Sequence, residues 1–576
     1  MRWFGGHVTN TPAAPFPRPH GARLLTESPH PVWTVGEWSG RETTHASAHG
    51  REAIIFGVHA VPSQAVASWL RDFHAPPAWP GCYTVVVCDP DEITVFTDPA
   101  HAVPIYCTEL GGGLVWGSSS RALAALAGSR INPAWVAGAI SRPISFRPER
   151  QSAFSGVNAI APGHRVTLRP GRRPRSRPWW RIPRLLPARE AAWGLRSALE
   201  DAVAARTAIA QHLSCDLSGG LDSTTLCLLA ADHARPPARV TALTVRPAAV
   251  DSGGDLDYAR AIVRERGDIS HVLLPLGTGC DPYAALREIG PTDEPAPTTI
   301  TYARHRAAYQ TLSSIGSRHH ITGDGGDALL IPPPSALTGP MSQGPHHYLR
   351  HFVNEYGRAK LNRTSPWSHL RGLIMPPPEQ PPAWVTRRAQ DLTAIGADKG
   401  DDGEDTGTLA EIRTTARTAQ ADTQIAAAWG IRLDAPFFDR AVIEAALRFH
   451  PVDRGSPWNY KPQITVAMAD VLPALVRRRH TKGDTTADHY RGLRHHLTET
   501  RDLTEGWLAG HGLIDTQRLN AALGNGATGL PAPFGSVEAA IAAEVWARAV
   551  TAATPIAWTY STAQPGNFNG RLRHRP

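Results

Sequence analysis

Ser218, Gly219, Gly220, Asp222, Ser223 and Thr224 fall within the eight residues "LSGGLDST", between an apolar run and a segment of helical character. His212 to Leu217 reads as a short buried strand, and Leu221, Leu226, Leu229 and Ala230 recur at helical spacing on one face of the succeeding segment. A strand, a tight loop and a helix start, in that order, aim backbone N–H groups and the positive end of the helix dipole at one point, which favours phosphate. The glycines let the backbone come close to such a ligand, and the hydroxyls of Ser218, Ser223 and Thr224 add donors. The loop lacks the lysine of G-x-x-x-x-G-K-[ST], so it is not a Walker A loop. A serine/glycine turn that merely caps a helix is the alternative reading.

Further along, "HHITGDGGDALL" again runs from a strand-like segment into a glycine-rich acidic turn. Ligands of an open parallel sheet gather at the carboxyl ends of neighbouring strands, so two such loops could face each other. "LSGGLDST" resembles the S-G-G-x-D-S loop of the ATP pyrophosphatases, in the version found in the asparagine synthetase superfamily, and "TGDGGD" resembles that superfamily's second ATP motif. These enzymes split ATP into AMP and pyrophosphate to activate a substrate. The resemblance implies ATP bound by Leu217, Ser218, Gly219, Gly220, Leu221, Asp222, Ser223, Thr244 and Gly323, and Mg²⁺ held against the pyrophosphate by Asp222 and Asp327. Hard oxygen ligands shared with phosphate suit that ion.

Three further residues are assigned by the same resemblance. Asp324 stands where asparagine synthetases usually carry glutamate and β-lactam synthetases tyrosine; an acid there could orient or deprotonate an attacking amine, or act purely electrostatically. "IRLDAPFFDRAVIEAAL" is similar to the family's "PFLD" segment and is followed by "YKPQITVAMADVLPALVRRRHTKGD". Lys461 there matches the family lysine near the ATP α-phosphate, and Lys482 matches a second basic position. Fixed positive charge of this kind serves an oxyanion-rich transition state. Gln463 departs from the usual leucine, and "RRRHTK" also reads as a solvated basic face.

These residues need elements to carry them. "REAIIFGVHA", "CYTVVVCDPDEITVFTD", "PIYCTE" and "GLVWGSSSRAL" read as strands separated by turns, which makes the region to about residue 170 β-rich. "AAWGLRSALEDAVAARTAIAQ" reads as a helix, and the runs "HLSCDL", "RVTALTV", "SHVLL" and "HHITG" then alternate with helical segments, as in a parallel sheet with helices on both faces. The expected architecture is α/β: a β-rich, amidotransferase-like sandwich over 1–170, a Pro/Arg-rich linker over 171–190, an ATP-pyrophosphatase domain with a parallel sheet flanked by helices over 191–550, and a tail over 551–576. "IPPPSALTGP", "MPPPEQPP" and "ADKGDDGEDTGT" are expected to be long surface loops, some of them disordered. The chain from Leu409 to about Ala549 is expected to be mostly helical, and its last residues frayed.

Composition narrows the function further. With 576 residues, 42% hydrophobic and 19% charged, the chain can bury a large core and has no apolar run long enough to span a membrane. "MRWFGGHVTN" lacks the basic and apolar regions of a secretory signal, so a cytoplasmic location is expected. The six cysteines contain no C-x-x-C pair and none of the 26 histidines has metal-ligand spacing, which argues against a disulfide framework or a zinc site. The net charge is +8, but the basic run Arg169 to Arg184 is broken by prolines and reads as a linker rather than a nucleic-acid site.

Asparagine synthetases carry a catalytic cysteine directly after the initiator methionine, to strip ammonia from glutamine. Here that place is Arg2, which cannot serve as a thiolate, although "CYTVVVCDPDEITVFTDPAHAVPIYC" and "LVWGSSSRALAAL" still resemble the amidotransferase domain. The fold is expected without its glutaminase chemistry, with an amine supplied by the substrate. The opening "WFGG", the degenerate first domain and the intact ATP loops together resemble the lasso peptide cyclases, which join a peptide's N-terminal amine to a downstream Asp or Glu side chain. That resemblance implies a precursor core peptide as substrate, with a leader-binding protein and a leader peptidase as partners. A β-lactam-type or other small-molecule amide synthetase, an ammonia-dependent asparagine synthetase, and an inactive peptide-binding scaffold remain as alternatives.

Overall fold

The computed structural model describes the chain apart from residues 10–15, 27–28, 236–238, 333–351, 358, 361–364, 368–370, 372–378, 396–405, 457, 480–485 and 562–576. Strands over the first third are β1 (Trp3–Val8), β2 (Phe16–Pro19), β3 (Arg23–Thr26), β4 (Val32–Val35), β5 (Thr43–Ala48), β6 (Arg51–His59), β7 (Gly81–Cys88), β8 (Ile93–Phe96), β9 (Tyr106–Leu110), β10 (Gly113–Gly117), β11 (Asn158–Ala159), β12 (His164–Leu168) and β13 (Arg175–Pro178). Beyond them come β14 (His212–Asp216), β15 (Arg239–Pro247), β16 (Ile269–Leu276), β17 (His319–Ile321), β18 (Arg432–Asp434) and β19 (Trp558–Ser561).

The early strands form two six-stranded sheets in the orders β11-β9-β10-β1-β4-β3 and β13-β12-β8-β7-β6-β5. Their interior follows the period of two. Ile54, Phe56, Val86 and Val95 point to one side and meet Phe4, Val32, Leu114 and Trp116 of the facing sheet. Their chain neighbours Ala53, Ile55, Val85 and Val87 point to the other side, where the helix Ser63–Asp72 covers them with Val66, Trp69 and Leu70. Both faces of this sheet are therefore covered, which is why "YTVVVC" is apolar at nearly every position instead of alternating. In β1, the "GG" of "WFGG" lies against Trp116, whose ring atoms come to 2.8 Å of where a Cβ on Gly6 would stand.

The third sheet has five strands in the order β16-β15-β14-β17-β18, and every neighbouring pair is parallel. From β14 the chain moves outward through β15 to β16 and then returns to β17 on the other side of β14. The order reverses at β14, so the loops after β14 and β17 leave the same end of the sheet side by side, the position at which open α/β sheets bind ligands. The helices Ala188–Thr207 and Leu221–His233 belong to the same buried apolar cluster as the strand residues Leu213, Cys215, Val240 and Ala242.

Two expectations are corrected. Within the stretch read as a linker, Arg175–Pro178 form β13, paired antiparallel with β12 at the exposed edge of its sheet. An edge strand accommodates both proline and charge, so its composition resembles that of a connector. The acidic run expected as a loop over 397–408 gives way at Thr406 to the helix Thr406–Ala427. The rest of that run, "IPPPSALTGP" after residue 332, "MPPPEQPP" up to residue 378 and the terminal residues from 562 lie outside the described residues. Helices dominate from Leu409 to Ala552. β19 then pairs with β2, so that Trp558 reaches Trp3 and Trp33 of the sandwich, with ring centroids at 5.7 and 6.1 Å. Among the described residues no helix is long and apolar enough to cross a membrane.

Candidate active site

The loop Leu217–Gly220 leads from β14 into the helix Leu221–His233, whose N-cap Gly220 offers no side chain to the first N–H groups. These donors stay available to a ligand. Ser218 Oγ and Ser223 Oγ are 2.9 Å apart and brace the turn, and the Ser218 N–H donates to Ser223 Oγ at 3.2 Å. Gly219 has φ +70°, and a Cβ there would lie 2.5 Å from Tyr258 Cβ, so both backbone and space demand glycine. The Leu217 and Leu221 side chains are buried in the core, which leaves only their backbone for a nucleotide. Thr244 is turned inward: its hydroxyl donates to the Leu217 carbonyl at 2.6 Å and meets His271 Nε2 at 2.8 Å. It supports the loop from behind.

The second loop, Thr322–Gly325, leads from β17 into the helix Gly326–Leu330 and packs against the first. A Cβ on Gly326 would lie 2.5 Å from Asp222 Cγ, and one on Gly323 would lie 3.4 Å from the Ser223 nitrogen. Asp324 Oδ2 accepts the Thr322 hydroxyl at 2.8 Å. Lys461 arrives from a third element, as the N-cap of the helix Pro462–Ala467, with a left-handed backbone at φ +55°. Its buried Nζ is 2.6 Å from Asp327 Oδ1 and is paired with Asp222 Oδ2 as well. The Tyr460 hydroxyl donates to the same Asp327 oxygen at 3.1 Å. Gln463, whose buried amide reaches the Leu330 and Arg454 carbonyls at 3.0 and 3.1 Å, ties this helix to the one after the second loop.

Asp222, Asp327 and Lys461 thus come together, Asp324 stands on the adjoining loop, and Lys482 lies outside the described residues. Arg479, three residues earlier in the same "RRRHTK" run, was not singled out from sequence. It is buried, stacks over Tyr258 at 4.6 Å, pairs with Asp255, and brings Nη1 to 3.5 Å from the Ser218 carbonyl. Periodicity gives no means of choosing among four neighbouring cations. The two carboxylates fit Mg²⁺: they converge on one small cation, and among the described residues no group of three or more His, Cys, Asp and Glu forms a closed cage. A pair of carboxylates completed by phosphate oxygens is the arrangement Mg²⁺ prefers.

Behind the second loop, charges of alternating sign run from the sandwich into the parallel sheet. Arg2 stacks over Trp38 at 3.8 Å and pairs with Glu42, which also pairs with Arg432 of β18. Arg432 Nε lies 3.4 Å from Asp434, and Arg206 grips Asp439 with both terminal nitrogens at 2.8 and 2.7 Å. Burial alone would raise the Asp434 carboxyl, but Arg432, His319 and Arg206 outweigh it and hold the group well below the usual carboxylate range. Burial, with Arg432 beside it, lowers the Arg2 guanidinium to about 9. A cavity of about 620 Å³ opens beside this chain, walled by Arg2, Cys82, Arg121 and Arg432 and reaching Thr322 and Asp324. The Cys82 thiol is pushed far up by burial, so the cysteine on that wall offers no thiolate at neutral pH.

One constellation has the form of a catalytic triad without the access of one. Ser214 Oγ is 2.8 Å from His320 Nδ1, and His320 Nε2 is 3.1 Å from Asp216 Oδ1. Ser214 is sealed inside the sheet and its hydroxyl donates to the His319 carbonyl at 3.1 Å, so the group fastens β14 to β17.

Parallel sheet, paired loops and convergent cation make up a domain of the asparagine synthetase type. The chain belongs to the asparagine synthase family, whose profile matches residues 194–548. Over 138 residues it is 29% identical to the amidase chyE of Penicillium rubens, a match over 23% of this chain and 20% of that protein, so the chain spans about a fifth of the curated relative's length. Among solved structures, the glutamine phosphoribosylpyrophosphate amidotransferase of B. subtilis, complexed with ADP and GMP, aligns over 58% of this chain and 82% of its own at 11% identity, with a TM-score of 0.21. The NH3-dependent NAD synthetase of Campylobacter jejuni aligns over 38% of this chain and all of its own at 11% identity, with a TM-score of 0.20.

Proposed function

We propose that this ligase is a macrolactam synthetase of the lasso peptide type, acting in the cytoplasm. It activates an Asp or Glu side-chain carboxylate of a precursor core peptide and joins it to the peptide's N-terminal α-amine. The carboxylate oxygen attacks the α-phosphorus of ATP as the bond to pyrophosphate breaks, and pyrophosphate leaves toward the N–H groups and hydroxyls of Ser218–Ser223. The α-amine then attacks the acyl-adenylate carbon, a C–N bond forms, AMP leaves, and in this reading the Asp324 carboxylate takes the proton from the amine. Lys461 is the cation that, in this reading, offsets the negative charge building at the α-phosphate and on the bridging oxygen of the departing pyrophosphate. Mg²⁺, held by Asp222 and Asp327, would neutralise pyrophosphate oxygens.

The observation that carries this reading is the commitment of Arg2 to Glu42 and Trp38, beside a buried Cys82 thiol. Neither Arg2 nor the Cys82 thiol can strip ammonia from glutamine, and this reading takes the nitrogen from the substrate's own amine. A leader-binding protein and a leader peptidase are the partners this implies.

The test takes a short precursor encoded beside the gene, once one is identified there, and uses its core peptide with a free and with an acetylated N-terminus. Both forms should drive exchange of labelled pyrophosphate into ATP, and only the free form should give a product lighter by one water. Aspartate-dependent AMP formation with ammonium, and no response to peptide, would return the chain to the asparagine synthetases. A response to a small β-amino acid alone would favour a β-lactam-type enzyme, and no ATP turnover under any condition a scaffold.

A further inference from the structure

The cavity behind Asp324, at about 620 Å³, is far larger than an ammonia-sized nucleophile requires, since a water molecule's share of the liquid is about 30 Å³. Its size is that of pockets that take organic ligands. It is also open: Glu288, Gly290, Ala427 and Ala428 line it and are exposed to solvent, a poor design for retaining a small diffusible amine. Its polar groups lie on different walls. The Thr322–Asp324 loop holds the carboxylate that adjoins the phosphate site. On the sandwich side stand the guanidinium groups of Arg2, paired with Glu42, and of Arg121. Ala416, Ala419 and Leu433 supply small apolar wall between them.

We propose that this cavity is the acceptor-amine site of the ligase and that its occupant is the N-terminal end of a peptide. The amine rests at Asp324, peptide carbonyl oxygens accept from Arg2 and Arg121, and the remaining chain leaves past Ala427 and Ala428. This rests on the reading that the substrate supplies the amine, and it adds where that amine enters.

The probes are glycyl-leucinamide and its N-acetyl twin, titrated calorimetrically into the full chain without ATP. The free amine is expected to bind at least tenfold more tightly than the acetylated form. Ala419→Trp, which fills the cavity, should weaken it at least tenfold, with ATP binding measured in parallel to report that the variant is folded. Asp324→Asn keeps the shape and should erase the preference for the free amine even if the tryptophan variant fails to fold. Equal affinity for the two dipeptides, no binding of either, or undiminished binding in a folded Ala419→Trp overturns the proposal. Failure of the macrolactam reading shows elsewhere, as absent pyrophosphate exchange with the core peptide, and leaves the titration to stand on its own.

Discussion

Lys461 Nζ lies 2.6 Å from Asp327 Oδ1 while also pairing with Asp222, so one ammonium occupies the point at which two carboxylates from separate loops converge. The single positive charge of the buried ammonium is shared by two carboxylates, so the cluster keeps a net negative charge.

Lys461→Met should lower pyrophosphate exchange by about 10²–10³-fold, the usual effect of removing one preorganised charge from a transition state. Near-normal exchange in this variant would mean that the lysine serves only to balance the acids. Circular dichroism should remain that of the parent.

Asp222→Ala and Asp327→Ala should each abolish pyrophosphate release, and in Asp327→Ala no increase in Mg²⁺ concentration should restore it fully. The Lys461 cation keeps one carboxylate in either variant, so the stability loss should stay below the about 3–5 kcal/mol typical of a buried charge left unpaired. Full turnover in both variants would remove these residues from the metal assignment.

Gly326→Ala should act on catalysis more than on stability. The added methyl meets Asp222 Cγ at 2.5 Å and must push that carboxylate away from Asp327. A measured KM for ATP and rate equal to the parent's would show that the loop absorbs the methyl elsewhere. Gly219→Ala adds a backbone penalty of about 1–2 kcal/mol at φ +70°, and its melting temperature should fall as well.

Acid should destabilise the protein through two buried histidines. Burial first, helped by His30 in one case and by Arg417 and Arg413 in the other, lowers His7 to about 4 and His101 to about 3. The unfolded chain takes up these protons near pH 6.5 and the folded chain does not, so the stability they hold is complete above about pH 6.5 and is lost as pH falls through 4 toward 3. Melting temperatures should decline across that window. His101→Asn, which tolerates the left-handed backbone at φ +65° and does not titrate, should flatten the decline. A melting temperature constant from pH 7 to pH 4 would contradict the assignment.

Both glycine loops were legible in the sequence as strand-to-helix turns because each is local: glycines, hydroxyls and an acid within a few residues, preceded by a strand and followed by a helix. The parallel sheet was legible through its alternation with helical segments, and much of the first β region through apolar runs such as "YTVVVC". Tertiary structure decided which distant residues meet those loops. Lys461 is 239 positions from Asp222, Arg479 reaches Ser218 across 261, and Thr244 turns out to brace Leu217 from a neighbouring strand. Such meetings depend on the order of strands in the sheet, and no local period records that order. The same holds for Arg2, Glu42 and Arg432, ordinary surface residue types whose burial follows only from pressing the sandwich against β18. β1 and β13 escaped a local reading for opposite reasons: glycines under Trp116 weaken the strand signal of one, and the exposed edge of the other is filled by arginine and proline.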